Sequence, residues 1–215
     1  KQLGLPIIQA VQNNIRIIYG IKNNFDIEGK LKSRPQNSAF YFKEGITYSL
    51  IGNSSFCARK YWEGHLFDVI GSAFFSDKEI EYLLLGLVNS SIGTYLLTKL
   101  NPTIAFQVGD ICNIPIVVPE KEQKNVIDNI VLKNIDIATS ETTFFEENYE
   151  YSSNILINEF NNKNELSQIC NLKVSYIQNE IEQLFLNETK LNSIFSNIYN
   201  VNSKDGFDNT ISLNL

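Results

Sequence analysis

The chain has 215 residues with a formal net charge of −6, and 43% of them are hydrophobic. That is enough apolar material for one sizeable domain or two small ones, and too much for a wholly disordered chain. No apolar run approaches the ~20 residues of a membrane-spanning helix and no charged start leads into a signal-like segment, so the cytoplasm is the expected compartment. Cys57, Cys112 and Cys170 are odd in number and far apart, which excludes a disulfide framework and a zinc site and leads us to expect three buried thiols. The chain contains no Met and opens on Lys1, as an excised piece of a longer protein would.

Residues 1–29 carry apolar groups at Ile7, Ile8 and 15–18 between asparagine pairs, compatible with short strands or a helix. Residues 30–75 read mainly as β. Ile46, Tyr48 and Leu50 alternate with polar neighbours, Ser54, Ser55 and the residues after them form a loop, and residues 66–70 make a second strand between Gly64 and Gly71. From Ser76 the period changes to helical. Ser76 and Glu79 have capping-box spacing, Ile80, Leu83, Leu84, Leu87, Val88 and Ser91 share a face, and Asn101-Pro102 ends the pattern.

In residues 101–118, Ile104, Phe106 and Val108 then alternate as a half-buried strand, and Gly109-Asp110 reads as a turn. Pro119 suits the first turn of a helix to about Ala138, with Ile127, Ile130, Val131 and Ile135 inward. In the last third, Ile177, Ile181, Leu184, Glu188, Leu191, Phe195 and Ile198 recur at alternating spacings of four and three, a heptad seam. The seam suits packing on the Pro119 helix, or self-association. The fold class is α+β: a small mixed-sheet lobe over residues 1–118, a helical bracing region over 119–200 and a loose tail over 201–215.

Charge is unevenly placed. Residues 30–60 carry Lys30, Lys32, Arg34, Lys43, Arg59 and Lys60 against Glu44 alone, whereas residues 141–188 carry nine glutamates against Lys163 and Lys173. A phosphate backbone would be attracted to the first region and repelled by the second.

Four segments carry a family resemblance. They are Leu-Asn-Pro-Thr-Ile-x-Phe-Gln-Val-Gly-Asp-Ile-x-Asn-Ile-Pro from Leu100; Tyr-Phe-x-x-Gly-Ile-Thr-Tyr-Ser from Tyr41; Ser-Ser-Phe-Cys-Ala-Arg-Lys-Tyr from Ser54 to Tyr61; and Asn-Glu-x-x-Leu-Asn-x-Ile-Phe from Asn187, closing at Tyr199. Together they resemble the C-terminal target-recognition region of the adenine-specific DNA methyltransferases of BREX-type phage-exclusion systems, the PglX family. Tyr48 stands where that family tends to have Trp, and Lys60 is inserted between Arg59 and Tyr61.

The resemblance implies a target-recognition domain that binds double-stranded DNA and positions an adenine. A catalytic methyltransferase domain elsewhere in the parent chain would act on that base with S-adenosylmethionine. No catalytic residue, cofactor site or metal site is expected in this fragment. Asn101-Pro102-Thr103-Ile104 only partly imitates the amino-methyltransferase motif, lacking its second proline and its aromatic, and no Gly-rich turn for a methyl donor follows a strand. His65 has no nucleophile motif around it.

Base edges are read by Arg, Lys, Asn and Gln, and phosphates by hydroxyl and backbone N–H groups. The candidate DNA contacts are therefore Arg34, Asn37, Lys43, Ser54, Ser55, Arg59, Lys60 and Gln107. Tyr41, Phe42, Tyr48 and Phe56 suit a core better than base stacking. Asn101 and Gln107 also suit turn residues that bond the backbone. Two other functions fit the chain: a docking module for other phage-defence proteins, and a restriction-modification specificity subunit.

Overall fold

A computed structural model describes residues 23–30, 32, 37–51, 56–68, 70–142, 151 and 165–201. Three strands, β1 (Gly45–Ser49), β2 (Ala58–Tyr61) and β3 (Gly71–Phe74), form an antiparallel sheet in the order β2-β1-β3. Among the described residues five α-helices follow: α1 (Glu81–Asn89), α2 (Ser91–Leu100), α3 (Val108–Cys112), α4 (Lys121–Thr142) and α5 (Leu166–Tyr199). The fold is α+β.

The alternation in β1 has the expected consequence, since successive side chains leave a strand on opposite faces. Ile46 and Tyr48 are buried against the helices, and Tyr48 packs with Phe56 and Phe74. The other strands depart from expectation. β3 begins at Gly71, one residue after the run read as a strand, because Asp68 Oδ1 accepts the backbone N–H groups of Ile70 and Gly71 and turns the chain there. Ala58–Tyr61, read as loop, is β2 and pairs with β1 from Gly45↔Tyr61 to Tyr48↔Ala58.

α1 is buried from Leu83 to Val88 and forms the centre of the molecule. A helix apolar all round must be surrounded. β1 and β2 cover one side, and α4 and α5 the other, where Val131 and Phe195 come so close that a Cβ on Gly86 would lie 2.9 Å from Val131 Cγ2. The long helix expected from Ser76 is two helices bent by 77°. Ser90 makes the break. Its hydroxyl donates to the Leu87 carbonyl at 2.6 Å, closing α1, and accepts from Gly93 N–H at 3.1 Å, capping α2. The start of α1 is also later than expected, at Glu81: the Ser76 hydroxyl bonds the Asp77 carbonyl instead of capping a helix.

The 104–108 strand is replaced by a single bridge, Ile51↔Ala105, followed by α3. Ile104 is 66% exposed and Val108 42%, so of the three alternating residues only Phe106 is buried. Gly109 and Asp110, read as a turn, lie inside α3. α4 and α5 match the expected helices, with Ile127, Ile130, Val131, Leu191 and Phe195 in the same hydrophobic cluster as the sheet residues. That cluster joins residues from both sides of position 118. Cys57, Cys112 and Cys170 are exposed, contrary to expectation. No single helix among the described residues is long and apolar enough to cross a membrane.

Candidate nucleic-acid interface

Arg59 sits mid-strand in β2, opposite Thr47, which lies opposite Ala73. Residues directly opposite share a face. Arg59 is thus exposed on the side of the sheet away from Ile46 and Tyr48, on a platform of small side chains. β2 is an edge strand, and its Ala58 backbone would otherwise face outward unpaired. Asn89, the last residue of α1, supplies both partners: its Oδ1 accepts from Ala58 N–H at 2.8 Å and its Nδ2 donates to Ala58 O at 2.9 Å. This clamp fixes the backbone beside Arg59 to the buried helix.

Lys60 points the other way. Its Nζ lies 2.7 Å from a Glu81 carboxylate oxygen and 3.4 Å from one of Glu44, and its side chain is 4% exposed. Lys78 lies 3.8 Å from the same Glu44 oxygen at the solvent edge. The expectation that Lys60 offers its charge to DNA is corrected: strand alternation turns it inward, where two carboxylates neutralise it. Arg59 and Lys60, adjacent in sequence, have opposite fates for that reason alone.

Asn37 and Lys43 precede β1. Asn37 is exposed and left-handed, with φ 55°, before a 3-10 turn at Ser38–Phe40. Lys43 is exposed with its ammonium 5.4 Å from the Phe40 ring centroid. Between them Phe42 also takes a positive φ of 65°, unusual for a bulky residue. It is held by Phe42 N–H to His65 O at 3.1 Å and Gly64 N–H to Phe42 O at 3.1 Å. These bonds carry a cluster of Phe40, Tyr41, Phe67 and Phe75 over one end of the sheet. Tyr61 joins the cluster through Phe75, and burial pushes its hydroxyl up to about 12.

Gln107 is exposed at the opposite end. Phe106 N–H donates to Leu50 O at 2.8 Å, so this segment lies beside the end of β1. Lys43 before β1 and Gln107 beside its far end are thus separated by about the length of a five-residue strand, about 17 Å, with Arg59 on the neighbouring β2. Arg34, Ser54 and Ser55 lie outside the described residues. Among the described residues the other exposed cations of the basic region are Lys30 and Lys32.

The signature around residue 101 has a structural explanation. Asn101 Nδ2 donates to Asp110 Oδ2 at 2.6 Å and to Ala105 O at 3.0 Å, and Asn101 Oδ1 accepts from Thr103 N–H at 3.0 Å. Asp110 Oδ2 also accepts from Gln107 N–H at 2.9 Å at the start of α3. The motif is therefore a loop bonded to itself, with the Gln107 side chain left exposed. Asn192 in the C-terminal segment accepts from Ser91 N–H at 2.9 Å and ties α5 to the start of α2.

Sequence reasoning missed Asn89, Glu81 and Trp62. Trp62 follows β2, is 44% exposed and has the Lys60 ammonium 5.4 Å from its ring. Its being the chain's one tryptophan was the available signal; the partners of Asn89 and Glu81 are too distant in sequence to leave one.

No family model matches the chain. Two relatives do. It is 29% identical over 187 residues to the adenine-specific methyltransferase PglX of Lacticaseibacillus casei, covering 83% of this chain and 15% of the relative. It is 29% identical over 183 residues to the adenine-specific methyltransferase BrxX of Escherichia coli, covering 81% of this chain and 14% of the relative. The chain thus spans about one seventh of the length of the relatives it matches. Over most of its length the chain is thus similar to proteins of the PglX kind, the family that its four sequence segments resemble.

Proposed function

We propose that this chain is the target-recognition region of an adenine-specific DNA methyltransferase. The observation that carries the reading is Arg59, exposed in the middle of a small sheet and set there by the Asn89 clamp, in a chain related to methyltransferases. A guanidinium on a rigid strand suits bidentate recognition of guanine O6 and N7, or of backbone phosphate. Lys43, Asn37 and Gln107 extend the surface along the strand direction, while Arg34, Ser54 and Ser55, outside the described residues, are candidates by residue type alone.

In this reading residues 1–118 form the DNA-reading lobe and residues 119–200 brace it against a catalytic domain of the parent protein. That domain would bind S-adenosylmethionine and methylate the adenine that this lobe brings into register. The site of action is the cytoplasm, in phage defence.

The test is fluorescence anisotropy on a randomised duplex pool across a salt series, with sequencing of the retained duplexes. Salt-sensitive binding with an enriched, asymmetric site is expected. Absence of binding at every salt concentration would sink the reading.

A second reading rests on α5, where Leu172, Val174, Tyr176, Phe185 and Leu186 are exposed. Leu172, Tyr176 and Leu186 share one face of the helix and Val174 and Phe185 the opposite one, and an exposed apolar face suits docking of another protein. Defined oligomers in light scattering together with no DNA affinity would favour it.

A further inference from the structure

α4 and α5 run antiparallel. Asn187 Nδ2 donates to Asn134 Oδ1 at 2.6 Å, and Ser140 Oγ donates to Glu180 Oε1 at 3.1 Å, so residue numbers rise along one helix as they fall along the other. A groove of about 400 Å³ opens beside this contact. Its polar lining is Asn129 and Lys133 from α4, and Gln183, Asn187 and Lys190 from α5.

The register brings the two lysines together. With residue 134 level with 187, Lys190 is level with about residue 131, only two residues or about 3 Å along the axis from Lys133. The helices pack with axes roughly 8–10 Å apart, and a lysine side chain reaches most of that distance. Both lysines are exposed, and neither has an ion pair among the described residues. Asp136, one turn along α4 from Lys133, makes none with it. Beside them Gln183 Nε2 donates to Asn187 Oδ1 at 2.9 Å, which fixes the amides that wall the groove.

Two cations that line one groove, neither of them ion-paired among the described residues, repel each other, and an anion seated between them relieves that repulsion, the two lysines locally outweighing the surrounding glutamates. We propose that this groove binds a phosphate group, held by the Lys133 and Lys190 ammoniums with Asn129 as a neutral donor. The phosphate comes from a nucleic-acid backbone or is free inorganic phosphate. The first source rests on the DNA-reading function proposed above, and would make the helical part a second point of attachment to the backbone.

The experiment compares the unaltered chain with a Lys133→Ala/Lys190→Ala double variant and a Lys121→Ala control. Inorganic phosphate is titrated into ¹⁵N-labelled protein at fixed ionic strength, and duplex binding is measured across a salt series. Saturable shifts at residues 129–133 and 183–190, abolished in the double variant and not reproduced by chloride, are expected. The salt slope should also fall by about 0.9 for each phosphate that the double variant no longer neutralises, and stay unchanged in the control. Shifts without a slope change keep the site and assign it to free phosphate; a slope change without shifts assigns it to the nucleic-acid backbone. The absence of both effects overturns the proposal. If the unaltered chain binds no duplex, the DNA-reading function fails and the phosphate titration alone decides this site.

Discussion

Arg59 and Lys60 show how one strand step separates a binding residue from a structural one. Arg59→Ala should weaken duplex binding and lower its salt slope by about one, with the melting temperature nearly unchanged because the side chain is exposed. Unchanged affinity at low salt would remove Arg59 from the interface. Lys60→Ala should do the reverse. It leaves the buried Glu81 carboxylate without its 2.7 Å partner, and breaking a buried pair costs about 3–5 kcal/mol. Chemical denaturation of the variant would measure that loss. A variant as stable as the parent would show that the Glu81–Lys60–Glu44 group does not hold the sheet to α1.

At the level of the elements, the α5 seam contains one charged member. Burial raises the Glu188 carboxyl above its ordinary value of 4.5. The folded chain therefore takes up this proton at a higher pH than the unfolded chain does. The stability contributed by Glu188 falls as pH rises from 4.5 through the raised value, and its cost stays constant above that. Glu188→Gln should accordingly raise the melting temperature at neutral pH, with the gain shrinking to nothing as pH approaches 4.5. A gain that does not vary with pH would mean that Glu188 is not desolvated in the folded chain.

At the level of the whole molecule, α1 is the shared wall between sheet and helices. Phe195, 1% exposed, reaches from α5 to the close approach at Gly86. Phe195→Ala removes a large buried ring from this junction and should cost about 3–5 kcal/mol. Because the cluster includes Ile46 on β1 as well as Ile127 on α4, unfolding followed separately by a helical and an aromatic signal should give one coincident transition. Two transitions would show that the sheet lobe and the helical region fold independently.

The sequence by itself determined the α+β class, the inward face of β1, the presence of α4 and α5 and the likeness to PglX methyltransferases, because strand and helix periods and linear motifs are local properties. It misplaced β2 and β3, since a four-residue strand such as Ala58–Tyr61 has no period of its own and exists by pairing with β1. It merged α1 and α2 because both are apolar on a helical repeat. Only the Ser90 hydroxyl, bonded on both sides of the break, separates them. Of the candidate DNA contacts, charge and residue type chose the set, but exposure depends on which way each side chain leaves the backbone. The tertiary structure alone decided that Arg59 reaches solvent while Lys60 is neutralised, and that Lys133 and Lys190, far apart in the chain, line one groove. The physical reason is common to these cases: a charge acquires its role from partners that folding brings from distant parts of the chain, and one position in the sequence does not specify them.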